Sequence, residues 1–146
     1  MLAQLVVIDL LDSSAVLALL YAEPGMDVVR RLLEQAERQT IALYLSAVSL
    51  AEIVSSIAKT HDEEIARQDL RVVLEMPLQV QLPTIEHCAE GGWLRSRRRL
   101  STANAIIAAQ AMAASAELVH KDPEFDTVAG LKYRRLPYKG KSARRR

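Results

Sequence analysis

Short apolar runs alternate with segments of helical period along almost the whole chain, and that alternation limits the fold more than any other feature. Residues 5–11, 41–45, 78–82, 117–120 and 132–136 have the length and pattern of strands, the last of them edge-like. Residues 14–22, 27–37, 50–59, 63–75, 84–99 and 103–114 carry helical spacing, with a break expected near Gly91-Gly92. Strands separated by helices imply parallel pairing with helices on both faces of the sheet. The expectation is an α/β chain: three α/β/α layers around a mostly parallel sheet of about five strands. At 146 residues, without repeat or linker, one domain over residues 1–138 is the simplest division, followed by a basic, flexible tail over 139–146.

Charge is distributed unevenly. Residues 1–94 carry six Lys and Arg against fourteen Asp and Glu, a balance of −8, while residues 95–146 carry thirteen against four, a balance of +9. Such asymmetry suggests a basic surface for phosphates or an acidic partner, with Arg95, Arg97, Arg98 and Arg99 as the candidate contacts. The bland alternative is a solvated helix face. Cys88 is the single cysteine, which excludes an intramolecular disulfide framework. No signal-like stretch opens the chain and no apolar run approaches the length of a membrane span, so a soluble cytoplasmic protein with no membrane partner is expected.

The polar residues that interrupt this pattern fall where a parallel sheet binds ligands. Asp12 ends the apolar run LVVIDLL, Glu52 lies in the expected first turn of SLAEIVSSIA, Asn104 opens the Ala-rich helix, and Asp122 follows the fourth strand. Strand C-termini and helix N-termini converge on one crevice in such a sheet. Four oxygen-bearing side chains there would suit a hard divalent cation such as Mg²⁺. Each residue also has a local explanation. Ser49-Leu50-Ala51-Glu52 fits a capping box, Asp12 could cap the helix after it, Asn104 could belong to a first turn begun by Ser101 or Thr102, and Asp122-Pro123 could be a turn. Asp9, inside the first strand, is at most a neighbour of the site, because an unpaired buried carboxylate is costly. His87 and Cys88 are adjacent on a helix and so point about 100° apart, which argues against a zinc site. Trp93 and Tyr44 are expected to pack and not to stack on bases. Ala15, Val16, Leu19 and Leu20, with Val28, Val29, Leu32 and Leu33, form stripes suited to a core or a subunit interface.

Taken in order, DSSAVLALL from Asp12, LSAVSLAEI ending near Glu52, and LSTANAIIAAQAMAASAELVHKDPEF from Leu100 to Phe125 resemble the PIN-domain family, especially the VapC-type toxins of prokaryotic toxin–antitoxin pairs. The resemblance spans nearly the whole chain. It implies a PIN-like α/β/α domain, commonly a homodimer, that binds Mg²⁺ or Mn²⁺ through clustered acids, cleaves RNA as an endoribonuclease, and is blocked by a cognate antitoxin. It assigns Asp12, Glu52, Asn104 and Asp122 to the catalytic and metal-binding set, with Ser13 and His120 behind them. Two positions depart from the family pattern: Asn104 stands where an aspartate is usual, and His120 where a Ser or Thr is usual. An amide offers one neutral carbonyl oxygen and cannot serve as a base. A catalytically silent PIN-like protein that binds antitoxin or RNA without turnover is therefore the alternative. A phosphoryl-transfer domain using Asp9 or Asp12 as nucleophile ranks last, since the two are three residues apart and form no D-x-D pair.

Overall fold

The computed structural model describes residues 6–138. Five parallel strands, β1 (Ile8–Leu11), β2 (Ala42–Ser46), β3 (Gln79–Gln81), β4 (Glu117–His120) and β5 (Tyr133–Arg135), form one sheet in the order β3-β2-β1-β4-β5. The expected edge strand is indeed an edge. Helices α1 (Ser13–Leu20), α2 (Met26–Glu37), α3 (Ala47–Thr60), α4 (Glu63–Glu75), α5 (Ile85–Arg97) and α6 (Thr102–Ala113) complete the three layers. The chain moves outward from β1 to β2 to β3, then returns across β1 to lay down β4. Crossovers of one hand that run in opposite directions must pass on opposite faces of the sheet.

Two cores result. Leu11, Leu43, Leu45 and Val119 meet α1 through α4 on one face; Leu10 and Leu118 meet α6 and Phe125 on the other. Leu10 and Leu11, adjacent on β1, are both fully buried, as expected for the central strand of a parallel sheet. Each contributes about 2–3 kcal/mol by leaving water. The stripes on α1 and α2 belong to the first core: Ala15, Val16, Val29 and Leu32 are buried in it, and Leu19, Leu20, Val28 and Leu33 pack around it.

The helices start where polar side chains cap them. Asp12, Ser46, Asp62, Thr84 and Ser101 each accept a hydrogen bond from a backbone N–H in the first turn of the helix that follows. A true capping box occurs at α5, where His87 Nδ1 accepts from the Thr84 N–H, so His87 is a helix-start residue. Gly25 opens α2 at φ +98°, and a Cβ there would stand 2.9 Å from that of Leu136, which excludes other residues twice over.

Three local expectations are corrected. Helix α5 runs unbroken through Gly91-Gly92. Gly91 is buried there, and a Cβ on it would lie 3.1 Å from backbone atoms of Ala105 and Ile106, so the glycine permits close approach of α6. Trp93 is 60% exposed, on the outer side of the same helix. Helix α3 starts three residues earlier than expected because Ser46 caps it directly from the end of β2. Leu5 and the tail at 139–146 lie outside the described residues.

Candidate active site

β1 lies at the point where the strand order reverses, with β2 on one side and β4 on the other, and the crevice outside the C-terminal ends of β1 and β4 is where such sheets bind ligands. Asp12 emerges there. Its N–H donates to Val119 O at 3.0 Å, so the ladder with β4 fixes its backbone. Its Oδ2 caps α1, accepting from Ser14 N at 3.3 Å and Ser14 Oγ at 2.6 Å, while Ser14 Oγ accepts from Lys121 N at 3.0 Å. The hydroxyl bonded to Asp12 is thus that of Ser14; Ser13 supports the carboxylate through its backbone. Asp12 is 3% exposed and its Oδ1 is buried without a hydrogen-bond partner. Burial raises its pKa, hydrogen bonds from Ser14 and Ser13 pull it down, and Asp122 raises it.

Because α3 begins at Ala47, Glu52 stands in its second turn and cannot form the capping box with Ser49, which is itself wholly buried inside the helix. Glu52 Oε1 is also buried without a partner. Its pKa is pushed up to about 7, first by burial, then by the charges of Asp12 and Asp122. Three acids from three elements are therefore coupled electrostatically.

Asp122 leaves β4 and starts a 3-10 turn over Pro123–Thr127, its Oδ1 accepting from Glu124 N at 3.0 Å. Asn104 is the third residue of α6, its N–H donating to the cap Ser101 Oγ at 3.1 Å. Its side chain reaches across to the turn: Nδ2 donates to Asp122 Oδ2 at 2.9 Å and to Glu124 Oε2 at 2.7 Å. Glu124 Oε2 also accepts from Ser101 N at 3.1 Å, at the positive end of α6. Glu124 and Ser14 were missed in the sequence, although a second acid two residues after Asp122 in a proline-started turn, and a second hydroxyl after Asp12, were visible signals.

The remaining candidates occupy other places. His120 is wholly buried, with ring centroids 5.0 Å from Phe125 and 5.2 Å from Tyr133, and its Nε2 stands 3.6 Å from Asp126 Oδ1. Burial lowers its pKa. It supports the acid-bearing turn from the core side. Asp9 pairs in register with Glu117 at the start of β4 and is raised by burial and by Glu117. Arg95, Arg98 and Arg99, with Leu100, Ser101 and Glu124, line a surface depression of about 450 Å³, so the arginines and the acidic cluster meet at Glu124. Arg97 does not line it.

The donor set is all oxygen and two of its buried oxygens lack partners, which fits a hard divalent cation better than a soft or redox metal. Among the described residues, no three His, Cys, Asp or Glu side chains are already drawn into a ligand cage. The Asn104 amide stands between Asp122 and Glu124 instead. Among the described residues, no helix is long and apolar enough to cross a membrane.

Solved structures of the same architecture include a chain of the VapBC2 complex from Rickettsia felis bound to a promoter DNA fragment (TM-score 0.74, 19% identity, 89% of this chain and 99% of that chain covered). DNA-bound VapBC from Salmonella typhimurium matches with TM-score 0.72 and 15% identity over 90% and 98% of the two chains. VapC20 of Mycobacterium tuberculosis, described as a toxin cleaving the sarcin–ricin loop, matches with TM-score 0.66 and 16% identity over 89% and 99%. At these identities the likeness concerns the fold. No curated protein matches the sequence. The sequence itself matches the PIN domain over residues 10–131, so the chain belongs to the PIN-domain family.

Proposed function

We propose that the chain is a divalent-metal-dependent endoribonuclease, the toxin of a VapBC-type pair, acting as a homodimer on RNA and held off by a cognate antitoxin. The observation that carries this is the pair of buried, unpartnered carboxylate oxygens, Asp12 Oδ1 and Glu52 Oε1, at the reversal point of the sheet. Mutual repulsion among Asp12, Glu52 and Asp122 raises the energy of the ion-free crevice, which a cation would relieve. Bound Mg²⁺ or Mn²⁺ would lower the pKa of its water, orient it for in-line attack and offset charge on the phosphoryl oxygens. Asp12, fixed by the ladder, and Asp122 would hold the ion, and Glu52 would complete the shell directly or through water. Arg95, Arg98 and Arg99 would receive the RNA backbone beside the acids. Solved structures of the same fold described as VapBC and as a sarcin–ricin loop cleaving toxin support the partner and the substrate class.

The test is cleavage of RNA with Mn²⁺ and with EDTA, by the parent, Asp12→Ala and Asn104→Asp. Cleavage should require Mn²⁺ and vanish in Asp12→Ala, and Asn104→Asp should be faster by one or more orders of magnitude, roughly a few kcal/mol on the barrier. Cleavage by Asp12→Ala at the parent's rate would refute it. A silent PIN-like binding protein is the second function, favoured by one observation: both hydrogens of the Asn104 amide are committed to carboxylates. An inactive parent beside an active Asn104→Asp would decide for it.

A further inference from the structure

Gln110 interrupts the apolar run AIIAAQAM of α6 and is wholly buried. A buried amide is costly unless its polar atoms are satisfied, and the partners of this one lie at two strand ends. Its Nε2 donates to Gln81 O at 3.3 Å, and its Oε1 accepts from Ser46 Oγ at 2.5 Å. Gln81 and Ser46 are the last residues of β3 and β2 and pair in register. The orientation is forced: a backbone carbonyl can only accept, so the N–H end of the amide faces Gln81 and the oxygen end faces Ser46. The single hydroxyl hydrogen of Ser46 is then committed to Gln110. Its lone pairs are left for Val48 N at 3.2 Å, the bond that caps α3.

We propose that Gln110 is a positioning residue for Glu52, acting through the start of α3. Glu52 Oε1 is buried without a hydrogen-bond partner, so what sets that oxygen among the charges of Asp12 and Asp122 is the placement of the helix that carries it. Helix α3 packs against α6, whose buried residues include Ala105, Ala108, Ala109 and Ala111. Such small side chains make shallow ridges that define the axial position of one helix on another weakly, whereas a buried directional bond defines it sharply. Gln110 supplies that bond by tying α6 to the residue from which α3 departs. Glu52 stands only in the second turn, so a shift of the first turn passes directly to its carboxylate. The link between α6 and α3 stands on the hydrogen bonds alone; its effect on a cation rests on the proposed function.

The experiment compares the full chain with Gln110→Met, Ser46→Ala and the two combined, by amide hydrogen exchange in EDTA and by calorimetric titration with Mn²⁺. Methionine fills similar space without a polar group, so Gln110→Met should melt within about 5 °C of the parent. Amides in the first two turns of α3, referenced to those of α4, should nonetheless exchange roughly tenfold faster. Mn²⁺ should bind roughly tenfold more weakly. Ser46→Ala should show both effects, and the combined variant should lose no more than the worse single one, because all three break the same link. Equal loss of protection in α3 and α4 overturns the proposal, since Gln110 would then be a general stabiliser; so do single effects that simply add. Unchanged Mn²⁺ affinity in both single variants, beside a parent that binds the ion, overturns the effect on Glu52. A parent that binds no Mn²⁺ refutes the proposed function, and exchange by itself then decides the link. Should Gln110→Met fail to fold, Ser46→Ala, which removes one oxygen, is read against the same outcomes.

Discussion

Replacing Glu52 by Gln isolates the electrostatic penalty stored in the crevice. In the folded chain its pKa is about 7 against an ordinary 4.5, from burial and from the charges of Asp12 and Asp122. Below pH 4.5 both folded and unfolded chains hold the proton and no penalty exists. Between 4.5 and 7 the unfolded chain releases it while the folded chain keeps it, so stability falls as pH rises; above 7 the loss is complete and constant. The full shift corresponds to about 3 kcal/mol. Glu52 is partly open to solvent and titrates together with its neighbours, which reduces the expected loss to about 1–2 kcal/mol. Urea unfolding in EDTA at pH 5 and pH 8 should show the parent losing that much more than Glu52→Gln across the interval. Mn²⁺ at pH 8 should restore the difference in the parent. Parallel pH dependence in parent and variant would refute the coupling of Glu52 to the other two acids.

Millimolar Mn²⁺ should raise the melting temperature of metal-free parent and leave Asp12→Ala unmoved, since occupancy of the folded state is what stabilises it; an equal rise in both would remove Asp12 from the site. Arg98→Ser with Arg99→Ser should weaken RNA binding and reduce its logarithmic salt slope by about 1.4, at about 0.7 per single-strand phosphate contact, whereas Arg97→Ser, outside the depression, should change the slope little. Filter binding at several salt concentrations measures both. Gly91→Ala should destabilise by about 1–3 kcal/mol because its Cβ meets α6 backbone. Gly92→Ala, with nothing within 4 Å, should instead stabilise by about 0.5–1 kcal/mol. Equal thermal shifts for the two would contradict the packing assigned to α5 and α6.

Strand and helix identity were legible because the period of the apolar residues changes with each element, and the five strands and six helices stand close to where that period puts them. Asp12 and Asp122 were legible as polar residues ending apolar strands. What failed was whatever depends on a distant neighbour. Gly91 resembles a helix breaker until α6 is seen against it. Ser46 belongs equally to a strand end and a helix cap, which hid the true start of α3 and with it the turn in which Glu52 sits. Glu124 was passed over, since nothing local announces that Asn104 reaches it from another helix.

The position of β1 between β2 and β4 has a consequence for the order of events during synthesis. By the time β3 has emerged from the ribosome, β1 has one neighbour and an open edge, and Asp12 has neither the Val119 carbonyl that fixes its backbone nor Asp122 beside it. Residues 117–122 must pair along the open edge of β1 before Asp122 joins Asp12 and Glu52, a long-range pairing that closes late. A nascent chain cut short before that point carries Asp12 and Glu52 but no assembled centre. A cell making such a protein meets the finished acidic crevice only once nearly all of residues 10–131 have been translated.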